Sequence, residues 1–155
     1  EAFCSKILTT GQGSFAGIRK TLRRAHTLPI PDGEPGSDYS LDQHREAFTA
    51  FLGWVKANLA GQTSVRVDGH WATQAQCIQG MADFTLPDMI VRETEMADYL
   101  PALAMQVGHT APAEPPLVPT RAPYALAQIY DDRIEAAARD AYQRDYVMFG
   151  FDDWS

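Results

Sequence analysis

The chain lacks long apolar runs, paired cysteines and the short motifs that mark familiar phosphate or ester chemistry. No stretch of about eighteen apolar residues occurs along its 155 residues, so no membrane-spanning helix is expected. The amino end does not show the charged, apolar and small-residue segments of a secretory signal. Cys4 and Cys77 are its two cysteines. They form no Cys-x-x-Cys pair, are too few for a disulfide framework, and are expected as free thiols in a reducing compartment, the cytoplasm. No G-x-x-x-x-G-K-[ST] loop and no G-x-G-x-x-G turn is present, so no backbone cradle for phosphates is visible in these residues. G-x-S-x-G is absent too, which argues against an ordinary serine hydrolase. No internal repeat is apparent.

What is present suits one globular domain or part of one: 45% of the residues are hydrophobic, enough for a core of its own. Thirteen basic residues against twenty acidic ones give a net charge of -7. The average field therefore repels nucleic acid and anionic lipid, although a local basic patch remains able to bind an anion. The sequence opens EAFCSKIL, with Phe3, Ile7 and Leu8 already at helical spacing. It is therefore expected to be the later part of something larger, entered inside an element.

Helical periodicity dominates the rest. Ser14 is placed to cap a helix with Phe15, Ile18, Leu22 and Ala25 on one face and Arg19, Lys20, Arg23 and Arg24 on the other. Residues 29–39, rich in proline and glycine, predict a poorly ordered loop. Ser40 and Gln43 then form an S-x-x-Q capping box before a stripe of Ala47, Phe48, Phe51, Leu52, Val55 and Leu59 that ends ahead of Gly61. LPDMIVRE, residues 86–93, is the best strand candidate. A helix over 98–107 is expected to bury Leu100, Leu103 and Val107, with Pro101 confined to its first turn. A second Pro-rich loop covers 109–123. The last helix, about 130–148, should turn Ile134, Ala138, Ala141, Tyr142 and Tyr146 inward.

The chemistry concentrates in DGHWATQAQC, residues 68–77. A zinc site would need three or four converging ligands, and Asp68, His70 and Cys77 have no familiar zinc spacing, so no metal is expected. His70 oriented by Asp68 has the composition of a general base, since imidazole is the side chain that changes charge near neutral pH. His70 and Trp71 would equally serve as a loop anchor, one ring buried and a backbone carbonyl satisfied. Arg19 and Arg23 on the basic helix face, and Arg121 in the second loop, are candidate contacts for a phosphate or sulfate; four such charges are also what the wet side of a helix looks like.

Several stretches, read in order, resemble the carboxyl-terminal part of the sulfotransferase family 2 enzymes, a group that includes Golgi carbohydrate sulfotransferases and many bacterial relatives. EAFCSKIL is similar to the helix after that family's 3′-phosphate-binding motif, with a nearby lysine at Lys6. HREAFTAFLGWV resembles its Ser-Phe-x-x-Phe segment, and DGHWATQAQC its Asp-x-His-Trp-x-x-Gln block. DMIVRETEMADYL resembles the strand-to-helix segment with an acid, matched by Glu93 or Glu95, and a later aspartate. AYQRDYVMFGFD resembles the terminal Tyr-x-x-Asp-Tyr-x-x-Phe-Gly-Tyr. The chain departs from the pattern at Glu1, where the family has a serine, and the 5′-phosphosulfate loop would lie upstream of these residues.

The resemblance implies a mostly α-helical fragment with one or two short strands, forming the C-terminal, acceptor-side part of a P-loop-like α/β sulfotransferase fold whose parallel sheet is completed elsewhere. It implies transfer of a sulfuryl group from 3′-phosphoadenosine 5′-phosphosulfate to a hydroxyl of a carbohydrate or small molecule. His70 and Asp68 would take the acceptor proton, while Lys6, Arg19, Arg23 and Arg121 would meet donor or acceptor anions. The expected partners are the acceptor and either an N-terminal part or a second copy. Two other readings stand beside it: a non-catalytic helical module for binding or oligomerisation, and a hydrolase of unfamiliar kind built on His70.

Overall fold

The computed structural model describes residues 1–109 and 122–154, and its regular structure is helical, with no strand among the described residues. The chain divides into two compact units, Glu1–Gln79 with Arg121–Ser155, and Gly80–Thr120. In the first unit a π-helical segment, Phe3–Leu8, is followed by α1 (Ala16–Ala25), α2 (Leu41–Leu59) and the start of α3 (Gln74–Ala82). α5 (Leu126–Ile129), α6 (Asp132–Ala141) and α7 (Gln143–Phe149) complete it.

α2 forms where the sequence directs it. The Ser40 hydroxyl accepts from the Gln43 N–H at 3.2 Å, and the Gln43 side chain accepts from the Ser40 N–H at 2.7 Å, satisfying two donors that the first turn leaves over. At the other end Gly61 takes φ +71°, with its N–H on the Asn58 carbonyl and the Gln62 N–H on the Ala57 carbonyl. This is a Schellman stop, and a Cβ at that φ would be strained.

α2 is the central element. Phe51, Trp54 and Val55 pack with Phe3, Ile7 and Leu8 of the π-helical segment and Leu22 of α1, while Leu52 meets Ile129 and Ile134. Burial of Phe, Leu or Ile side chains is worth about 1.5–3 kcal/mol each, so this stripe supplies most of what holds the unit together. Arg45 fastens the second side by donating to the carbonyls of Ile129 at 3.0 Å and Gln128 at 3.4 Å.

Several expectations are corrected. The Pro-rich loop 29–39 is not loose: Ile30 and Tyr39 are buried, and the buried Arg19 guanidinium donates to the carbonyls of Pro31, Asp32 and Gly33 as well as Ile7. Glu34 adds bonds from the N–H groups of Thr10 and Gly11. Backbone groups without a strand or helix partner must find another, and one arginine supplies it. Phe15, not Ser14, occupies the N-cap position of α1, and Ala25 is exposed. The final helix breaks at Tyr142 into α6 and α7. At that break the Tyr142 hydroxyl donates to the Trp71 carbonyl at 3.0 Å, and buried Asp145 accepts from the N–H groups of Gln74 and Ala75, capping α3 across the chain.

In the second unit a 3-10 turn, Glu93–Glu95, leads into α4 (Met96–Gln106). The strand expected over 86–93 does not form. Leu86, Met89 and Ile90 are exposed, and a lone apolar run without a ladder partner cannot satisfy its own backbone. α4 starts two residues before the expected Asp98, so Pro101 stands inside the helix, where it removes one hydrogen bond. Its expected inward face is not buried; Val107 is 83% exposed.

Arg19 gives the sharpest stability contrast. Arg19→Met should lose about 3 kcal/mol, because buried carbonyls are left without donors; that lowers Tm by roughly 10 °C for a chain of this size. Arg23→Met, which breaks only a surface ion pair with Asp32, should cost less than about 1 kcal/mol. Thermal unfolding of both variants checks the ordering, and equal losses would contradict it.

Candidate functional site

The candidate site is assembled from the end of α2. The Schellman turn sends the chain back past Asn58, whose buried carboxamide donates to the Thr63 hydroxyl at 2.7 Å and the Val65 carbonyl at 2.6 Å. The same carboxamide accepts from the Trp71 indole N–H at 2.8 Å. Trp71 is 2% exposed and sits among Phe15, Phe51 and Trp54 with edge-on rings. A tight turn, closed by the N–H groups of Trp71 and Ala72 on the Asp68 carbonyl, then places the neighbouring His70 outside.

The cluster therefore divides the two roles offered by the sequence. Trp71 is the anchor and His70 is the presented group, its side chain 47% exposed. Asp68 Oδ1 accepts from the His70 backbone N–H at 3.0 Å and lies 2.6 Å from His70 Nδ1. Those two bonds, led by the backbone one, hold the Asp68 carboxyl below its usual range, with the Lys6 charge adding a smaller pull. An ionised carboxylate only accepts, so Nδ1 carries the proton in neutral His70 and Nε2 keeps its lone pair. Nε2 has no hydrogen bond among the described residues.

Lys6 joins this pair through Phe15. Its Nζ lies 5.5 Å from the Phe15 ring centroid and donates to the Gly13 carbonyl at 3.2 Å, and the Phe15 ring meets His70 edge-on at 5.3 Å. Asp68 also lines an open groove of about 640 Å³ between Gly17, Ile18 and Thr21 of α1 and the 65–69 loop. Lys6, Asp68 and His70 are thus brought together. Arg19 and Arg23 are not: they line a separate hollow of about 220 Å³ with Lys20, Arg24 and Asp32. Arg19 is taken up by backbone carbonyls and Arg23 by Asp32. Arg121 lies outside the described residues. Among those residues no three His, Cys, Asp or Glu side chains converge as metal ligands.

A second Cys and His pair, Cys4 and His44, was not singled out by the sequence. Cys4 Sγ lies 4.0 Å from His44 Nε2, and His44 Nδ1 lies 3.3 Å from the Tyr39 hydroxyl. Burial pushes the Cys4 thiol up and the His44 imidazole down, and raises Tyr39 to about 12. The Cys4 and His44 shifts disfavour the thiolate and imidazolium that nucleophilic catalysis would need. Rings of Phe3, Tyr39 and Tyr124 also enclose His44, which is 2% exposed. A signal was available: His44 and Asn58 both fall on the apolar stripe of α2, where a polar residue must be buried and partnered.

No protein-family model, curated protein or solved structure matches this chain.

His44 sets a pH dependence. Its pKa in the folded chain lies below the ordinary value of 6.5, so the unfolded chain takes up the proton first as pH falls. Its contribution to stability is full above about pH 6.5 and declines below it until the folded pKa is passed. Urea unfolding from pH 7.5 to 5 should show this loss, and His44→Gln should flatten it. An equally steep decline in His44→Gln would assign the effect to other groups.

Proposed function

We propose that this chain supplies the acceptor side of a sulfuryl-transfer site, in which His70 takes the proton from an acceptor hydroxyl. The observation that carries the reading is the 2.6 Å contact between Asp68 and His70 Nδ1, with Nε2 turned over to the proton that must be removed. The class of group transferred comes from the sequence resemblance alone. Asp68 holds the imidazole as the Nδ1–H tautomer and stabilises the imidazolium that forms after proton uptake at Nε2. As the acceptor oxygen loses its proton it bonds to sulfur, while the bond between sulfur and the departing phosphate oxygen breaks. Lys6 adds positive charge beside this exchange.

The donor, 3′-phosphoadenosine 5′-phosphosulfate, would bring the sulfuryl group when bound. Lys6 is the cation next to the Asp68–His70 pair, whereas Arg19 and Arg23 are engaged elsewhere. The described residues do not form a phosphate cradle, and on this reading the cradle belongs to polypeptide beyond them.

A specific observation favours a second reading, a non-catalytic docking or oligomerisation module. In the second unit Phe84, Leu86 and Ile90 are 93%, 77% and 60% exposed, and exposed large apolar side chains grouped on one short segment are what an interaction surface presents. Light scattering across a concentration series tests it: self-association supports the module, and a monomer at every concentration counts against oligomerisation.

Two measurements test the transfer reading. Calorimetric titration with 3′-phosphoadenosine 5′-phosphate should show no binding to this chain alone and binding once the phosphosulfate-cradling segment that this reading requires is joined to it; binding to neither would contradict the enzyme. In that joined polypeptide His70→Gln should cut turnover by roughly 10²–10⁴ while Tm falls by no more than about 5 °C, because the His70 side chain is half exposed and its ring contact with Phe15 is a small part of the stability. A variant that keeps its turnover, or loses it only in step with Tm, removes His70 as the base.

A further inference from the structure

We infer that Phe15 is a positioning residue: its ring keeps the exposed His70 imidazole seated on Asp68, and so maintains the Nδ1–H tautomer that the carboxylate selects. The inference rests on the reading of His70 as the base. The Nδ1 bond forms at one setting of the two side-chain torsions, and a half-exposed imidazole held by that bond alone is free to turn away from it. The Phe15 ring favours the bonded setting, standing at 88° to the imidazole with centroids 5.3 Å apart. Such pairs are worth about 0.5–1.5 kcal/mol beyond area burial, enough to select one orientation of an exposed side chain.

Phe15 is itself held from three directions. Its N–H donates to the Lys6 carbonyl at 2.8 Å, its ring meets Trp71 at 6.0 Å, and the Lys6 ammonium sits 5.5 Å from its centroid. The base and the nearest cation are therefore attached to the same ring, and the buried Trp71 keeps that ring in place. The sequence departs from local preference at this point. Phe15 is at the N-cap of α1 with no side-chain cap bond, although Ser14 stands one residue away and serine is far better suited to the position. A local rule broken without local benefit marks a residue selected for something else. Lys6, on the other side of the ring, lies in the π-helical segment, a conformation that recurs at functional sites.

The test follows the ring nitrogens of His70 in the full chain, labelled with ¹⁵N-histidine, by long-range proton–nitrogen correlation with the imidazole neutral. The unsubstituted chain should show a single Nδ1–H tautomer. Phe15→Ala should lose that signature, giving averaged nitrogen shifts, and Phe15→Tyr should restore it. Phe15→Leu, which keeps apolar volume against Trp71 and guards against an unfolded alanine variant, should show the same averaging as Phe15→Ala. A single tautomer in Phe15→Ala or Phe15→Leu, averaging in Phe15→Tyr, or averaging in the unsubstituted chain overturns the inference. No transfer step enters the measurement, so its outcome stands apart from the turnover of His70→Gln.

Discussion

The Asn58 carboxamide is the joint on which the first unit's surface chemistry depends. It sits at the last turn of α2, buried, with its donor and acceptor sides both used: one ties down the returning loop at Thr63 and Val65, the other holds the Trp71 indole. A buried amide left with either side unpaired is expensive, so the loop that satisfies it has little freedom. Because Trp71 is fixed inward, the residue before it is fixed outward. The exposure of His70 is thus a consequence of core packing at Asn58 and Trp71, and not of a flexible surface loop.

The same unit contains two histidines with opposite fates, and burial decides between them. His44 is enclosed by Phe3, Tyr39 and Tyr124 and held neutral, so it ties the π-helical segment, the 29–39 loop and α2 together without offering a reactive nitrogen. His70 has a carboxylate on one nitrogen and open surroundings at the other. An aspartate, a histidine and a lysine collected around one phenylalanine can remove a proton and offset a developing negative charge. Those are the two capacities that the acceptor half of the proposed group transfer requires.

Legibility in the sequence followed the range of the interactions. α2 was readable to its ends because capping box, apolar stripe and glycine stop are all local, and the Asp68–His70 bond spans only two residues. The role of Arg19 was not readable, since the loop carbonyls that consume it lie 12 to 14 positions away. The break at Tyr142 was hidden for the same reason: Asp145 caps α3 over about seventy residues. The strand over 86–93 failed in the other direction, because its β-branched residues state a preference that only a neighbouring strand can realise. Phe15 was read as one more core-face aromatic, and nothing in its periodicity distinguishes a ring that packs from a ring that aims its neighbour.

The central claim is that core packing buries one imidazole and presents the other. Carbethoxylation of the native chain with diethyl pyrocarbonate, followed by peptide mass spectrometry, reads both at once. The account requires rapid modification of His70 and strong protection of His44 until the chain is unfolded. Comparable rates at the two residues, or protection of His70, would contradict it.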